Sequence, residues 1–269
     1  MKPPARVLIT GASTGMGRAT ALLLAERGYQ VIAASRSPER LEEIHEGIVP
    51  RFLDLKDPQS VKDLMEKIGP VEALINNAGY GLVSTVEEVD EAQMLEQFEI
   101  NLFGVLRMCR EAIPGMRERG GGVIVNISSF LGKIGLPLLT FYNASKYAVE
   151  GITDSLRYEL RPFGIRVHSV MPGFFDTCFA RSNLVINPAT FSPDSPYREL
   201  VEHLAPQIVE QINHGNDPRE VAEAIAEILA DDQAPPRVAA GEKARYFIPM
   251  RRELDDEAFE RRVRDYYGI

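Results

Sequence analysis

The chain has 269 residues, 45% of them apolar, which is enough for one large α/β core, so a single domain spanning 1–269 is expected. Its formal charge of −9 argues against a nucleic-acid partner, which calls for clustered Lys and Arg. Two cysteines, Cys109 and Cys178, and four histidines, His45, His168, His203 and His214, stand in no CxxC or metal-ligand spacing; a disulfide scaffold or metal site is not expected, and a reducing cytoplasm fits. The opening MKPPARVLIT runs straight into a short apolar strand, without the long apolar core and cleavage site of a secretory signal. No stretch reaches the roughly 18 apolar residues of a membrane helix, so no membrane partner is expected.

The first strand, ARVLIT (5–10), leads into TGASTGMG and then the apolar helix ATALLLAERG. Glycines at 11, 15 and 17 allow a tight turn and a close backbone approach to a pyrophosphate held at the helix N-terminus, where free N–H groups and the helix dipole favour an anion. Gly11, Ser13, Thr14, Gly15, Met16 and Gly17 are the candidate contacts. The second strand, QVIAAS (30–35), ends on Ser35 and Arg36, 36 − 17 = 19 residues after the last glycine. An acid there would bond a ribose 2′-hydroxyl, whereas an arginine accommodates a 2′-phosphate. NADP(H) is therefore expected over NAD(H), the alternative being that Arg36 is a solvated loop arginine. Arg18 is a further candidate near the phosphate, and Arg40 is expected to face solvent on the next helix.

The third strand, VPRFLDL (49–55), ends on Asp54 and Leu55; the fourth, VEALINNAG (71–79), ends on Asn77, Ala78 and Gly79. Both ends lie where strand C-termini open into a ligand crevice, although Asn and Gly also suit an ordinary turn. GVIVNIS (122–128) brings Ile127 and Ser128 to the same edge, and IRVHSVMP (165–172) brings Pro172 and Gly173. A last strand is expected at ARYFIP (244–249). Near-continuously apolar strands alternating with helical patterns predict a doubly wound, mostly parallel, Rossmann-type sheet with helices on both faces. The irregular segment 174–200 is too long for an ordinary connection and reads as part of a substrate lid over 174–215, with 235–269 as a C-terminal extension. Its Phe174, Phe175, Phe179, Leu184, Val185, Ile186 and Phe191 suit an apolar pocket, or equally an apolar anchor to the body. DPREVAEAIAEILA (217–230) reads as an amphipathic core helix. In LDDEAFERRVRDYYGI, Phe259, Val263 and Tyr266 are expected on one face, covering the cleft or a second subunit.

These motifs, taken in order with Asn101 in FEINLFG, GVIVNISS, YNASK and PGFFDT, resemble the short-chain dehydrogenase/reductase superfamily from residue 7 to about residue 177. The resemblance implies a nicotinamide-dependent oxidoreductase with Asn101, Ser129, Tyr142 and Lys146 as its catalytic tetrad. Of the two serines in NISS, Ser129 is the one that precedes the tyrosine by the family's 13 residues (142 − 129 = 13), leaving Ser128 on the cofactor side. It further implies that the loop of Pro172, Gly173 and Phe175 covers the nicotinamide, that Thr177 contacts its carboxamide, and that Asn101 holds a relay water. A homodimer or homotetramer paired through the helices around 90–118 and 142–161 is implied by the same analogy. The stretch SFLGKIGLPLLTFYNASKYAVEG is similar to the hydroxysteroid and retinol dehydrogenase branches, whose substrates are bulky apolar alcohols and ketones. A reductase of small polar carbonyls and a non-catalytic cofactor-binding regulator stay open as alternatives.

The chemistry of the pair follows from helix geometry. Residues four apart share a helix face, so a lysine at 146 stands beside the phenol at 142. A phenol's ordinary pKa of about 10 is too high for a base near neutrality, and a neighbouring cation is expected to lower it. The lysine also bonds the nicotinamide ribose in the family, and Ser129 would stabilise charge on the substrate oxygen.

Overall fold

The computed structural model describes residues 5–42, 44–177, 179 and 183–269. Seven strands form one parallel sheet: β1 (Arg6–Thr10), β2 (Gln30–Ser35), β3 (Ile48–Phe52), β4 (Ala73–Asn76), β6 (Gly122–Ile127), β7 (Ile165–Pro172) and β9 (Arg237–Ala240), in the order β3-β2-β1-β4-β6-β7-β9. The strands are apolar almost throughout because both faces are covered. In β1, Val7 and Ile9 belong to the core on one face and Leu8 to the core on the other, as the two-residue period of a strand requires. Helices α1 (Gly15–Glu26) and α7 (Arg219–Ala230) close the first face; α2 (Pro58–Ile68), α4 (Gly104–Glu118) and α5 (Thr140–Leu160) close the second. Asp57 and Asp90 cap α2 and α3 (Glu91–Phe98) by accepting from the Gln59 and Gln93 N–H groups at 2.9 and 3.0 Å, satisfying donors that a helix start leaves free. No helix among the described residues is long and apolar enough to cross a membrane.

The chain leaves β1 toward β2 and β3 on one side and reaches β4, β6 and β7 on the other. The sheet therefore opens between the C-terminal ends of β1 and β4, the switch point at which such folds bind ligands. The third strand stops at Phe52, so Asp54 and Leu55 lie just beyond its end instead of inside it.

Two expectations are corrected beyond β7. Residues 244–249 are not a strand but part of α8 (Glu242–Glu253). Their buried residues, Ala244, Phe247 and Ile248, stand at i, i+3 and i+4, a helical stripe that the aromatic and β-branched composition obscured. The strand that completes the sheet is β9, immediately before. In α9 (Asp256–Tyr267) the buried face is Phe259, Val263 and Tyr267, spaced by four, and Tyr266 is partly exposed.

Segment 174–215, apart from residues 178 and 180–182, which lie outside the described residues, contains β8 (Leu184–Ile186) and α6 (Arg198–Asn213). β8 pairs in parallel with β5 (Gly81–Val83) as a separate two-stranded sheet. The buried Asn187 extends that pairing: its side chain donates to the Ser84 hydroxyl at 3.2 Å and the Glu88 carbonyl at 2.8 Å. α6, α8 and α9 share a third core with Phe130 and Phe174. Phe247 lies at its centre, stacked on Phe130 at 6.0 Å and on Tyr267 at 6.1 Å. Phe247→Ala is expected to destabilise the fold by about 3–5 kcal/mol, the usual outcome for emptying a packed aromatic site, read as a lowered urea midpoint with an unchanged slope.

Candidate active site

The Gly-rich turn is shaped by what it excludes. A Cβ on Gly17 would lie 2.4 Å from Asn77 Nδ2 and 2.5 Å from the Gly11 carbonyl oxygen, and one on Gly11, where φ is +66°, would lie 2.8 Å from Ala78 Cα. The turn after β1 is thus pressed against the loop after β4. Asn77 fastens the two, its amide donating to the Thr10 and Gly11 carbonyls at 2.9 and 3.2 Å. The Asn77 and Ala78 N–H groups both donate to the Thr10 hydroxyl at 3.1 Å.

This junction floors a cleft of about 460 Å³. Gly11, Ser13, Thr14, Gly15, Met16 and Gly17 form one end of its wall, Ser35, Arg36, Asp54 and Leu55 another, and Asn77, Ala78 and Gly79 the base. Ile127, Ser128, Tyr142, Lys146 and Thr177 line the far end. A cradle that tolerates no Cβ, in front of the N-terminus of α1, fits a pyrophosphate, and the length of the cleft fits a dinucleotide. Pro172, Gly173 and Phe175 stand elsewhere, on the wall of an adjoining cavity.

At the adenosine end Arg40 is exposed, as expected, and belongs to a 3₁₀ turn (Pro38–Leu41) that sets it at the rim of the cleft with Arg36 and Ser37. Arg18 is not on that wall. The exposed Arg36 guanidinium has no hydrogen-bond or ion-pair partner among the described residues, and Ser35 is held by accepting from the Ser37 N–H at 3.2 Å. The proline at the start of the turn is the sequence signal that the chain bends at once.

Tyr142 stands where cleft and cavity meet, since it lines both. The first turns of α5 carry it and Lys146, and a 3₁₀ turn (Phe130–Gly132) after β6 presents Ser129. The Ser129 hydroxyl accepts from the Leu131 N–H at 3.1 Å and is hydrogen-bonded to the Tyr142 phenol. Lys146 is buried, donates to the Ile127 carbonyl at 2.8 Å, and holds its ammonium 5.7 Å from the centre of the Tyr142 ring. Asn101 sits behind them in a π-helical turn (Glu99–Phe103) between α3 and α4. Its amide donates to the Tyr80 carbonyl at 2.9 Å and the Ser145 hydroxyl at 3.1 Å, and Ser145 donates to the Tyr142 carbonyl at 2.7 Å. The widened π turn is what aims Asn101 at α5, and such turns gather at functional sites.

The electrostatics differ from the expectation. Burial raises the Tyr142 phenol to about 12, with the Ser129 hydrogen bond opposing. Burial also pulls Lys146 down to about 8, against the pull of Glu150. The phenol is thus protonated across the neutral range. Cys178 lies outside the described residues.

The adjoining cavity is lined by Phe130, Leu131, Leu139, Phe174, Phe179, Leu184, Ile208 and Ile212 among others. Among the described residues its hydroxyl-bearing lining is Ser128, Ser129, Tyr142 and Thr177. Phe179 packs edge-on against the Tyr142 ring at 6.2 Å, so the apolar wall begins at the phenol itself.

A parallel doubly wound sheet whose switch point carries this cradle defines a nucleotide-dependent oxidoreductase class. The chain belongs to the short-chain dehydrogenase family, whose model, described as short chain dehydrogenase, matches residues 5–184. It is an oxidoreductase of that family, with a fold that binds a nicotinamide cofactor. A 3-ketodihydrosphingosine reductase of Bacteroides thetaiotaomicron is 35% identical over 268 residues, 99% of either chain. A short chain dehydrogenase from Burkholderia cenocepacia in complex with NADP superposes with a TM-score of 0.78 at 28% identity, over 98% of this chain and 99% of its own. A short chain dehydrogenase/reductase from Burkholderia phymatum in complex with NAD gives 0.74 at 26% identity, over 87% and 88%. Gly17→Ala is expected to lower stability by about 1–3 kcal/mol, the usual range for overpacking, and to weaken dinucleotide binding; thermal melts with and without cofactor read both effects.

Proposed function

We propose that the chain is an NADP(H)-dependent oxidoreductase that interconverts a ketone, or an aldehyde, with its alcohol, on substrates with an apolar body such as steroid-, retinoid- or aromatic-ketone-like molecules. The observation that carries this is the position of Tyr142 on the walls of both cleft and cavity, with Lys146 on the cleft side and Ser129 on the cavity side. The curated relative's substrate, a ketone by its name, supports the same reading. When bound, the nicotinamide supplies the hydride. Lys146, Ile127, Ser128 and Thr177 would hold its ribose end, and the Gly-rich turn its pyrophosphate.

The residues of this chain then divide the remaining work. The Ser129 hydroxyl orients the substrate oxygen and stabilises its developing negative charge. Tyr142, protonated at neutral pH, gives its proton to that oxygen in the direction of reduction and recovers it through the Lys146 and Asn101 side of the site. Segment 174–215 acts as the lid of the apolar cavity: Phe174, Leu184 and Ile208 exclude water from the reacting atoms, which strengthens both hydrogen bonds.

Tyr142→Phe keeps the ring and removes the proton donor. It is expected to abolish detectable turnover against a panel of steroid, retinoid and aromatic ketones, with NADPH affinity by fluorescence nearly unchanged; a variant retaining most of its activity would refute the acid/base role. For the cofactor, a 2′-phosphate meeting the unpaired Arg36 makes a charge-assisted bond that NAD lacks. Arg36→Ala is expected to weaken NADPH by roughly ten- to a hundredfold while leaving NADH within a few fold. The kcat/KM ratio for the two cofactors measures this, and an unchanged ratio would move the choice to NAD(H).

A further inference from the structure

One cluster of buried charge lies outside the site and directly beneath it. Glu150 follows Lys146 by four residues on α5, on the same face, and is only 3% exposed. Its Oε2 is 2.5 Å from Arg237 Nε, delivered by β9, and 3.3 Å from Lys133 Nζ, delivered by the chain just after the Ser129 turn. Arg237 also meets Asp154 at 2.6 Å, one turn further along α5. The Glu150 Oε1 is buried with no hydrogen-bond partner among the described residues.

We infer that Glu150 is a positioning residue for the proton-transfer site, clamping the turn that carries Ser129 onto the helix that carries Tyr142 and Lys146 and setting a buried carboxylate one helical turn from Lys146. The inference rests on the acid/base reading of Tyr142 and Lys146.

Three observations carry it. The Ser129 turn is seated on the Lys146–Glu150 turn without clearance: a Cβ at Gly132 would lie 2.7 Å from Ser128 Oγ, 3.0 Å from the Lys146 carbonyl oxygen and 3.1 Å from Glu150 Cγ. Lys133 and Arg237 then reach the same carboxylate oxygen from two other elements, so Glu150 ties three parts of the chain at one atom. Finally, among the described residues the other groups facing Lys146 offer no compensating charge. They are the Ile127 carbonyl on β6, Gly79 in the loop after β4, Asn101 beside it on the π turn, and the Tyr142 ring on α5. Of the charged groups beyond Glu150, Lys133 and Arg237 are cations and oppose it, and Asp154 is engaged by Arg237.

A buried ion pair is a poor way to gain stability, because well-packed apolar side chains usually serve as well or better. Its presence here has a use in the site. Burial lowers the affinity of Lys146 for its proton, and Glu150 is the group that raises it again.

Glu150→Gln keeps the shape and removes the charge, so Lys146 should lose its proton at lower pH. The alkaline limb of the kcat/KM profile with NADPH is expected to move down by about 0.5–1 pH unit. Lys133→Gln, at a side chain one-third exposed, strips a cation from the same carboxylate and should move that limb up by a few tenths of a unit. A purely structural role would depress rates and leave both limbs in place, which overturns the inference. If Glu150→Gln does not fold, the direction of the Lys133→Gln shift decides. Retained turnover in Tyr142→Phe would sink the underlying acid/base reading, whereas unmoved limbs with an inactive Tyr142→Phe sink only the role of Glu150.

Discussion

The site is organised around a lysine that the fold has taken out of water. An ammonium at the base of a cleft must find hydrogen bonds and a compensating charge or lose its proton. Each neighbour of Lys146 answers that requirement: the end of β6 offers the Ile127 carbonyl and α5 offers Glu150. The same requirement decides which elements have to meet. β6 must end level with the second turn of α5, the turn after β6 must lack a side chain at Gly132, and the last strand of the sheet must arrive with an arginine in register for Glu150. Strand β9 is therefore tied to the chemistry although no residue of it lines the cleft.

Around this point the protein separates two environments. The cleft is walled by backbone, hydroxyls, charged groups and aliphatic residues such as Leu55 and Ile127, and its shape depends on glycines at which any Cβ would strike the neighbouring loop. The cavity beyond Tyr142 is walled by aromatic and aliphatic side chains from β8, α6 and the turn after β6. Cleft and cavity meet along a border shared by Met16, Ser128, Tyr142, Thr177 and Phe179, and the phenol stands on it. Burial keeps that phenol protonated, a state suited to giving a proton to an alkoxide.

The C-terminal third supports this arrangement through packing. Phe130, adjacent to Ser129, touches Phe174 edge-on at 5.3 Å and stacks on Phe247, and Phe247 in turn packs on Tyr267 of the last helix. The residue beside the hydroxyl that would orient substrate is thus set by a stack reaching to the end of α9. Segment 184–187 is likewise stitched to the body by strand pairing and by Asn187, so the inner wall of the cavity is held by backbone hydrogen bonds as well as apolar contact.

By itself the sequence determined the sheet strands through β7, the parallel doubly wound class, the Gly-rich turn, and the pairing of Tyr142 with Lys146. These depend on local rules: apolar runs of strand length, glycines before a helix, and the four-residue period of a helix face. It misassigned 244–249, because Tyr, Phe and Ile suit a strand as readily as a helix and only the packing of Ala244, Phe247 and Ile248 against the third core separates the two. It placed Arg40 in solvent, where the structure has it, but not at the rim of the cleft, since the tight turn that sets it there depends on where β2 ends in space. What only the tertiary structure decided was electrostatic: that Tyr142 is raised and not lowered, that Lys146 is buried, and that Glu150 lies beneath it with Lys133 and Arg237. Those outcomes depend on desolvation and on contacts between residues up to 87 positions apart, and neither is visible in the order of side chains along the chain.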